Sequence, residues 1–162
     1  MNITLKLIDL LGRTQINKWY KFIKKSQFWS EAEQIDYQTK QLKLIVEHAY
    51  QNVPYYRQLF KKLNLTPKDI QSKDDLVKIP IITRKILQDN YQELIADNHK
   101  QFKSQNRSTG GTTGEPVRYL SDINSWSLHW ALKYRAWEWG GYKIGDNVGV
   151  MGGASVIPSK VT

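Results

Sequence analysis

Apolar side chains return every third or fourth residue through most of the first half of the chain, which predicts a series of helices. Ile16, Trp19, Tyr20 and Ile23 stand at i, i+3, i+4 and i+7, the spacing of one helix face. Leu42, Ile45, Val46, Ala49 and Val53 form a second stripe. It lies behind Ser30 and Glu33, whose spacing is that of a capping box, where each side chain satisfies a backbone donor of the first turn. Pro54 closes that helix and suits the first turn of the next, with Tyr56, Leu59, Phe60 and Leu63 as its inner face. Thr66-Pro67 and the pair Ser72 and Asp75 mark further helix starts. "KIPIIT" reads as extended, because the residue before Pro80 is pushed away from helix. Thr83 then caps a helix carrying Ile86, Leu87, Tyr91, Leu94 and Ile95.

The pattern changes near residue 97. "DNHKQFKSQNR" is polar and weakly periodic, and the glycine-rich run "RSTGGTTGEP" follows. "VRYL" reads as a short strand. Asp122 is placed to cap a helix from about Ile123 to Trp139, ended by Gly140-Gly141. "DNVGVMGG" reads as a buried strand and a glycine turn. Strand, helix and strand in that order predict an α/β unit with a crossover helix. The expected fold class is therefore α/β: a helical segment over residues 1–96, then the start of a mixed core over 97–162 with an incomplete sheet. Trp126, Trp130, Tyr134 and Trp137 recur at helical spacing. They read either as the buried face of the crossover helix or as a platform for stacked bases, and core spacing favours the first.

Composition narrows the chemistry. With 162 residues and 40% hydrophobic content, the chain can build a real core. There is no cysteine, which excludes disulfides, thiolate metal sites and a cysteine nucleophile, and fits a reducing, cytoplasmic setting. The three histidines, His48, His99 and His129, have no metal-ligand spacing. His48 lies beside an apolar stripe, where a structural role is expected. No apolar run reaches the length of a membrane span, and "ITLKLIDLLG" is a poor signal peptide. The net charge is +9, which attracts polyanions. Residues 1–62 carry eleven Lys/Arg against five Asp/Glu, and the rest thirteen against ten. The excess thus sits toward the start, where Lys18, Lys21, Lys24 and Lys25 surround Trp19 and Tyr20. That segment reads as a helix packing its apolar face on the protein, or as a peripheral contact with anionic membrane through residues 1–25. The charge and this segment also support a second function class, a small basic protein binding nucleic acid or anionic membrane.

The glycine-rich run carries the most specific chemistry. Gly110, Gly111 and Gly114 let several backbone N–H groups converge on one hollow that suits phosphate oxygens. Ser108, Thr109, Thr112 and Thr113 add hydroxyl donors, Arg107 or Arg118 adds charge, and Pro116 stiffens the exit. A Walker A loop would need Gly-Lys-Ser/Thr opening a helix, but Glu115 and Pro116 follow Gly114. The dinucleotide fingerprint fails on glycine spacing. A plain surface hairpin of small residues remains open on composition alone.

"STGGTTGEP" resembles the phosphate loop of the acyl-adenylate-forming enzymes, a Ser/Thr/Gly-rich run ending Thr-Gly-x-Pro. "HAYQNVPYYRQLF", "LVKIPIITRKILQDN" and "WEWGGYKIGDNVGVMGG" resemble the N-terminal part of the phenylacetate–coenzyme A ligase family, a branch that includes proteins associated with capsular polysaccharide gene clusters. The resemblance runs from about residue 30 onward. It implies ATP and magnesium as cofactors, a small-molecule carboxylate as substrate, coenzyme A or another thiol as acyl acceptor, and no nucleic acid partner. It assigns Ser108, Thr109, Gly110, Gly111, Thr112, Thr113, Gly114, Glu115 and Pro116 to holding the β- and γ-phosphates of ATP. Many members carry lysine after the proline; here Val117 stands there, with Arg118 next. The family's adenine, ribose, magnesium and catalytic-lysine segments lie downstream of this loop and match no residue here. The expectation is an N-terminal fragment of such a ligase, inactive alone, with residues 97–162 as the beginning of the adenylation core.

Overall fold

The computed structural model describes residues 3–109 and 116–149. Helix α1 (Ile3–Gly12) and helix α2 (Ile16–Ser26) form a pair joined by a tight turn. The N-terminus of α2 is capped from α1, not by its own flanking residue. The Asp9 carboxylate accepts from the Thr14 hydroxyl at 2.6 Å and from the backbone N–H groups of Ile16 and Asn17 at 2.7 and 2.9 Å. A carboxylate at a helix N-terminus satisfies orphan donors and faces the positive end of the helix dipole.

Helix α3 (Glu31–Asn52) starts with the expected capping box. The Ser30 hydroxyl accepts from the Glu33 N–H at 3.3 Å, and Glu33 accepts from the Ser30 N–H at 2.8 Å. Pro54 opens helix α4 (Pro54–Lys62) directly after α3. Thr66 and Ser72 begin two short 3₁₀ helices, Pro67–Asp69 and Lys73–Lys78, both with capping boxes. Val46, Phe60 and Ile70 are buried together, with Leu42, Tyr50, Tyr56, Leu65 and Ile79 around them. Ile45, included in the predicted stripe of α3, is 59% exposed, so the inner face is narrower than the spacing implies.

Helix α5 (Arg84–Asp89) has the expected Thr83 cap but is only six residues long. Tyr91, Leu94 and Ile95 were expected on the same helix; they lie in turns beyond it. The cause is a set of non-local bonds: Tyr55 donates its N–H to the Glu93 carbonyl at 3.0 Å, and Asp97 to the Asn52 carbonyl at 2.7 Å. Arg57 adds an ion pair with Asp97 at 2.9 Å. These bonds tie residues 93–97 to the α3–α4 junction. A further 3₁₀ turn, His99–Phe102, leads to strand β1 (Gln105–Ser108).

Strand β1 pairs antiparallel with strand β2 (Arg118–Ser121), with Gln105 opposite Ser121 and Ser108 opposite Arg118. The predicted strand "VRYL" is present; β1 was not foreseen in the polar run before the glycines. Helix α6 (Ile123–Trp139) has the predicted bounds, and the Asp122 carboxylate accepts from the Ser125 N–H at 2.6 Å. The strand expected after α6 is not formed over residues 146–149, and its remainder lies outside the described residues. Among the described residues the sheet is therefore an antiparallel hairpin. The α/β class stands: a largely helical first part followed by a partial mixed core.

Among the described residues helix α6 packs chiefly on α2. Leu5, Ile16 and Ala131 are buried at the centre of this second core, with Trp19, Tyr20, Ile23, Trp130 and Tyr134 packed around them. The rings of α6 also stack on one another: Trp130 lies 5.9 Å from Tyr134 and 6.3 Å from Trp137. Of the predicted stripe, Trp130 and Tyr134 pack on this core, whereas Trp126 and Trp137 are half-buried beside it, and the fully buried positions of α6 are Ser127 and Ala131. The aromatic face of α2 is engaged inside the protein. Trp19 donates its indole N–H to Asn124 at 2.8 Å, and the Tyr20 hydroxyl donates to Glu138. Glu138 also receives Lys24 at 3.2 Å. Burial first, and the hydrogen bond to Glu138 next, push the Tyr20 hydroxyl well above the usual phenol range.

Candidate functional site

In sequence the glycine-rich run connects β1 to β2, which pair as an antiparallel hairpin. Six of its positions, Gly110, Gly111, Thr112, Thr113, Gly114 and Glu115, lie outside the described residues. Of the predicted phosphate-binding set, Ser108 and Thr109 stand at the end of β1, and Pro116 stands just before β2. All three are exposed.

The neck of the hairpin is closed by a reciprocal pair. Thr109 donates its N–H to the Val117 carbonyl at 3.0 Å. Val117 donates its N–H to the Thr109 hydroxyl at 3.0 Å. One hydroxyl of the predicted donor set therefore accepts a backbone bond that fixes the loop base. Its proton remains available outward, because a hydroxyl both donates and accepts.

The two arginines beside the run differ in their surroundings. Directly opposed residues of an antiparallel pair share a face, and faces alternate along each strand. Arg107 and Tyr119 lie on one face; Ser108 and Arg118 lie on the other. The Arg107 guanidinium sits over the Trp126 ring of α6, 4.8 Å from its centre, and donates to Gln105 at 3.0 Å. That is a cation–π bracket between hairpin and helix. Arg118 forms no hydrogen bond or ion pair with the described residues and is exposed. The opposite face is braced as well, where the Tyr91 hydroxyl donates to the Asn106 side-chain oxygen at 3.2 Å. Tyr91, Asn106 and Trp126 thus position the hairpin. Sequence reasoning placed Trp126 in a core stripe and gave Tyr91 and Asn106 no role at the site, because all three act through pairings distant in sequence.

A cavity of about 450 Å³ opens beneath the hairpin, between β2 and the segment from α5 onward. Its walls include Leu87, Tyr91, Leu94, His99, Val117 and Leu120. His99 donates through Nδ1 to the Ala96 carbonyl at 2.8 Å, and His48 packs edge-on to Phe102 at 6.0 Å. Both histidines are held by structural contacts. No group of three or more His, Cys, Asp or Glu among the described residues is placed to hold a metal ion. Among those residues no helix is long and apolar enough to cross a membrane.

The structure thus shows a fixed backbone neck with the Thr109 hydroxyl at its base and an exposed Arg118 beside it. The chain's relatives are enzymes of one class, the coenzyme A ligases. Over the matched stretches it is homologous to phenylacetate-coenzyme A ligases. It is 37% identical over 114 residues to that of Aromatoleum evansii, covering 68% of this chain and 25% of the relative. The Pseudomonas putida enzyme is 35% identical over 117 residues, covering 70% of this chain and 26% of the relative. The Escherichia coli (strain K12) enzyme is 39% identical over 103 residues, covering 61% and 23%. The chain thus spans about a quarter of the length of the curated relatives it matches. No family model matches it.

Proposed function

We propose that this chain carries the phosphate-holding hairpin of an ATP-dependent carboxylate–coenzyme A ligase. In that reaction a carboxylate oxygen attacks the α-phosphorus of ATP, pyrophosphate leaves, and a thiol then takes the acyl group from the adenylate. The residues assigned to the β- and γ-phosphates are Ser108, Thr109 and the run Gly110–Pro116, with Arg118 supplying the charge that other members draw from a lysine. The observation carrying this reading is the pinned neck: Thr109 and Val117 fix the base of a Gly/Thr loop beside the exposed Arg118. A loop base fixed in advance lessens the reorganisation that donors around it need to meet phosphate charge. Likeness to the named ligases supports the reaction class.

Magnesium would be held by groups other than clustered side chains of the described residues. Holding phosphates, not turnover, is the part assigned to these 162 residues. Carboxylate-dependent ATP–pyrophosphate exchange is expected to be absent from them alone.

The test is a titration of the 15N-labelled chain with pyrophosphate and with ATP. Saturable shifts at residues 107–118 are expected, weakened roughly tenfold or more by Arg118→Ala, since a charged hydrogen bond contributes about 1.5–3 kcal/mol. Shifts confined to the lysine-rich segment 18–25, or none below 10 mM ligand (roughly the millimolar ceiling of weak binding), would discard the assignment.

A further inference from the structure

Helix α1 is apolar on two sides. Leu5 is fully buried and Ile8 packs beside it in the α1–α2–α6 core. Ile3, Leu7, Leu10 and Leu11 are 69%, 53%, 75% and 84% exposed. On a helix those four fall within an arc of about 100°, opposite the buried side. Lys6 falls on one flank of that arc, and exposed Arg13 follows the helix in a left-handed turn conformation, φ 50°. A helix apolar all round is normally buried or in lipid, and this one has solvent on half its girth.

We propose that the outer face of α1 docks on an anionic membrane surface, with Lys6 and Arg13 reaching the headgroups. Charge selects this occupant. The first 28 residues hold six Lys/Arg and one acid, Asp9. Asp9 is engaged by the N-terminus of α2, so it offers no repulsion to lipid phosphates. Lys24 is neutralised by Glu138, whereas Lys6, Arg13, Lys18, Lys21 and Lys25 form no salt bridge among the described residues. Lys18, Lys21 and Lys25 are exposed on the side of α2 turned away from α6. An apolar stripe bordered by unpaired cations is what an interfacial helix needs: acyl-chain contact for the leucines and headgroup phosphates for the bases. Nucleic acid would engage the cations and leave the leucines unused. A second copy would bring the same cations against themselves.

The experiment is co-sedimentation of the full chain with vesicles of phosphatidylcholine alone and with 30% phosphatidylglycerol, at 0.05 and 0.5 M NaCl (a span over which charge screening changes about threefold in length). Binding is expected on the anionic vesicles and weakened by salt. It should fall at least tenfold in Leu7→Glu/Leu10→Glu and roughly tenfold in Lys6→Glu/Arg13→Glu. Because the chain lacks cysteine, Leu10→Cys gives one site for an environment-sensitive dye. Its emission should shift blue on anionic vesicles, and a dye at Gln58→Cys on α4 should not respond. These labelled chains keep the test decisive if the charge-reversed variants misfold. Equal binding to both vesicle types overturns the proposal. So does binding that survives loss of the leucines, or a dimer on light scattering that forms through Leu10 while vesicles are ignored.

Discussion

Thr109 and Val117 hold each other twice across the neck of the hairpin, amide to carbonyl and amide to hydroxyl, both at 3.0 Å. The second bond depends on one oxygen atom. Thr109→Val keeps the shape and removes it. A lost neutral hydrogen bond is worth about 1 kcal/mol, or roughly a fivefold change in local opening. Hydrogen exchange at the Val117 amide should accelerate by about that factor, with the global unfolding midpoint unchanged. Thr109→Ser should restore protection. If Val117 exchanges at the wild-type rate in Thr109→Val, the hydroxyl is not the clamp.

Asp9 is the cap of α2 although it belongs to α1. Asp9→Ala leaves the Ile16 and Asn17 donors without a carboxylate. Loss of a cap costs about 0.5–2 kcal/mol, and the second donor should place this case near the upper end. Urea unfolding at neutral pH measures it. Asp9→Asn should recover part of the loss, since an amide oxygen still accepts.

Acid should loosen the segment from residue 66 to 78 first. The Asp75 carboxyl is held well below its ordinary range, chiefly by the Lys78 ammonium and then by the Gln71 and Ser72 amides. Asp69 is lowered by the Thr66 hydroxyl and amide. A depressed folded pKa adds stability above the unfolded value, about 3.9 for Asp, and that stability is lost as pH falls below it. Amide signals of residues 66–78 followed from pH 6 downward should stay native until about pH 4 and broaden below. Asp75→Asn should shrink that step, leaving the part that Asp69 contributes.

Alkali should act at the other core. Tyr20 keeps its proton through burial and the bond to Glu138. A raised folded pKa contributes stability below the unfolded value, about 10 for tyrosine, and the contribution disappears as pH rises through the folded one. Thermal unfolding should therefore fall between pH 9 and 11 in the wild type and fall less in Tyr20→Phe. Parallel curves for the two proteins would place the alkaline transition elsewhere.

Helix starts were the most legible part of this fold. Ser30 with Glu33, Ser72 with Asp75, Thr66 before Pro67, and Asp122 all start helices where the sequence placed them, because each start is set by a local side chain-to-backbone bond or a first-turn proline. Spacing found part of the inner face of α6, Trp130 and Tyr134, and missed Ser127 and Ala131, whose small side chains carry no apolar periodicity signal. Periodicity does not report what covers a face, and among the described residues the cover of α6 is α2. Strand β1 escaped notice because Gln105–Ser108 is polar and exposed at every position. Its only strand signal is the partner it meets thirteen residues later. Leu94 and Ile95 continue the helical spacing of α5, yet the Tyr55–Glu93 and Asn52–Asp97 bonds outweigh it.

At the candidate site, composition singled out the glycine-rich run, and its assignment to phosphates came from the resemblance of its Thr-Gly-x-Pro ending and flanks. Composition offered Arg107 and Arg118 equally. Distinguishing them requires the register of β1 on β2, which puts Arg107 over Trp126 and leaves Arg118 beside Ser108. The braces Tyr91 and Asn106 were hidden for the same reason.

Ser127 is fully buried, donates to the Ile123 carbonyl at 2.6 Å and accepts the Gln15 N–H at 2.9 Å, across 112 residues of sequence. The turn between the first two helices is thus completed by a hydroxyl that leaves the ribosome long after it. Contacts of such separation close late, because the loop entropy must be met first. During synthesis α1 and α2 would wait, with Leu5 and Ile16 uncovered, while the compact unit around Phe60 is already assembled from local contacts. Helices α1 and α2 would be among the last elements of this chain to settle.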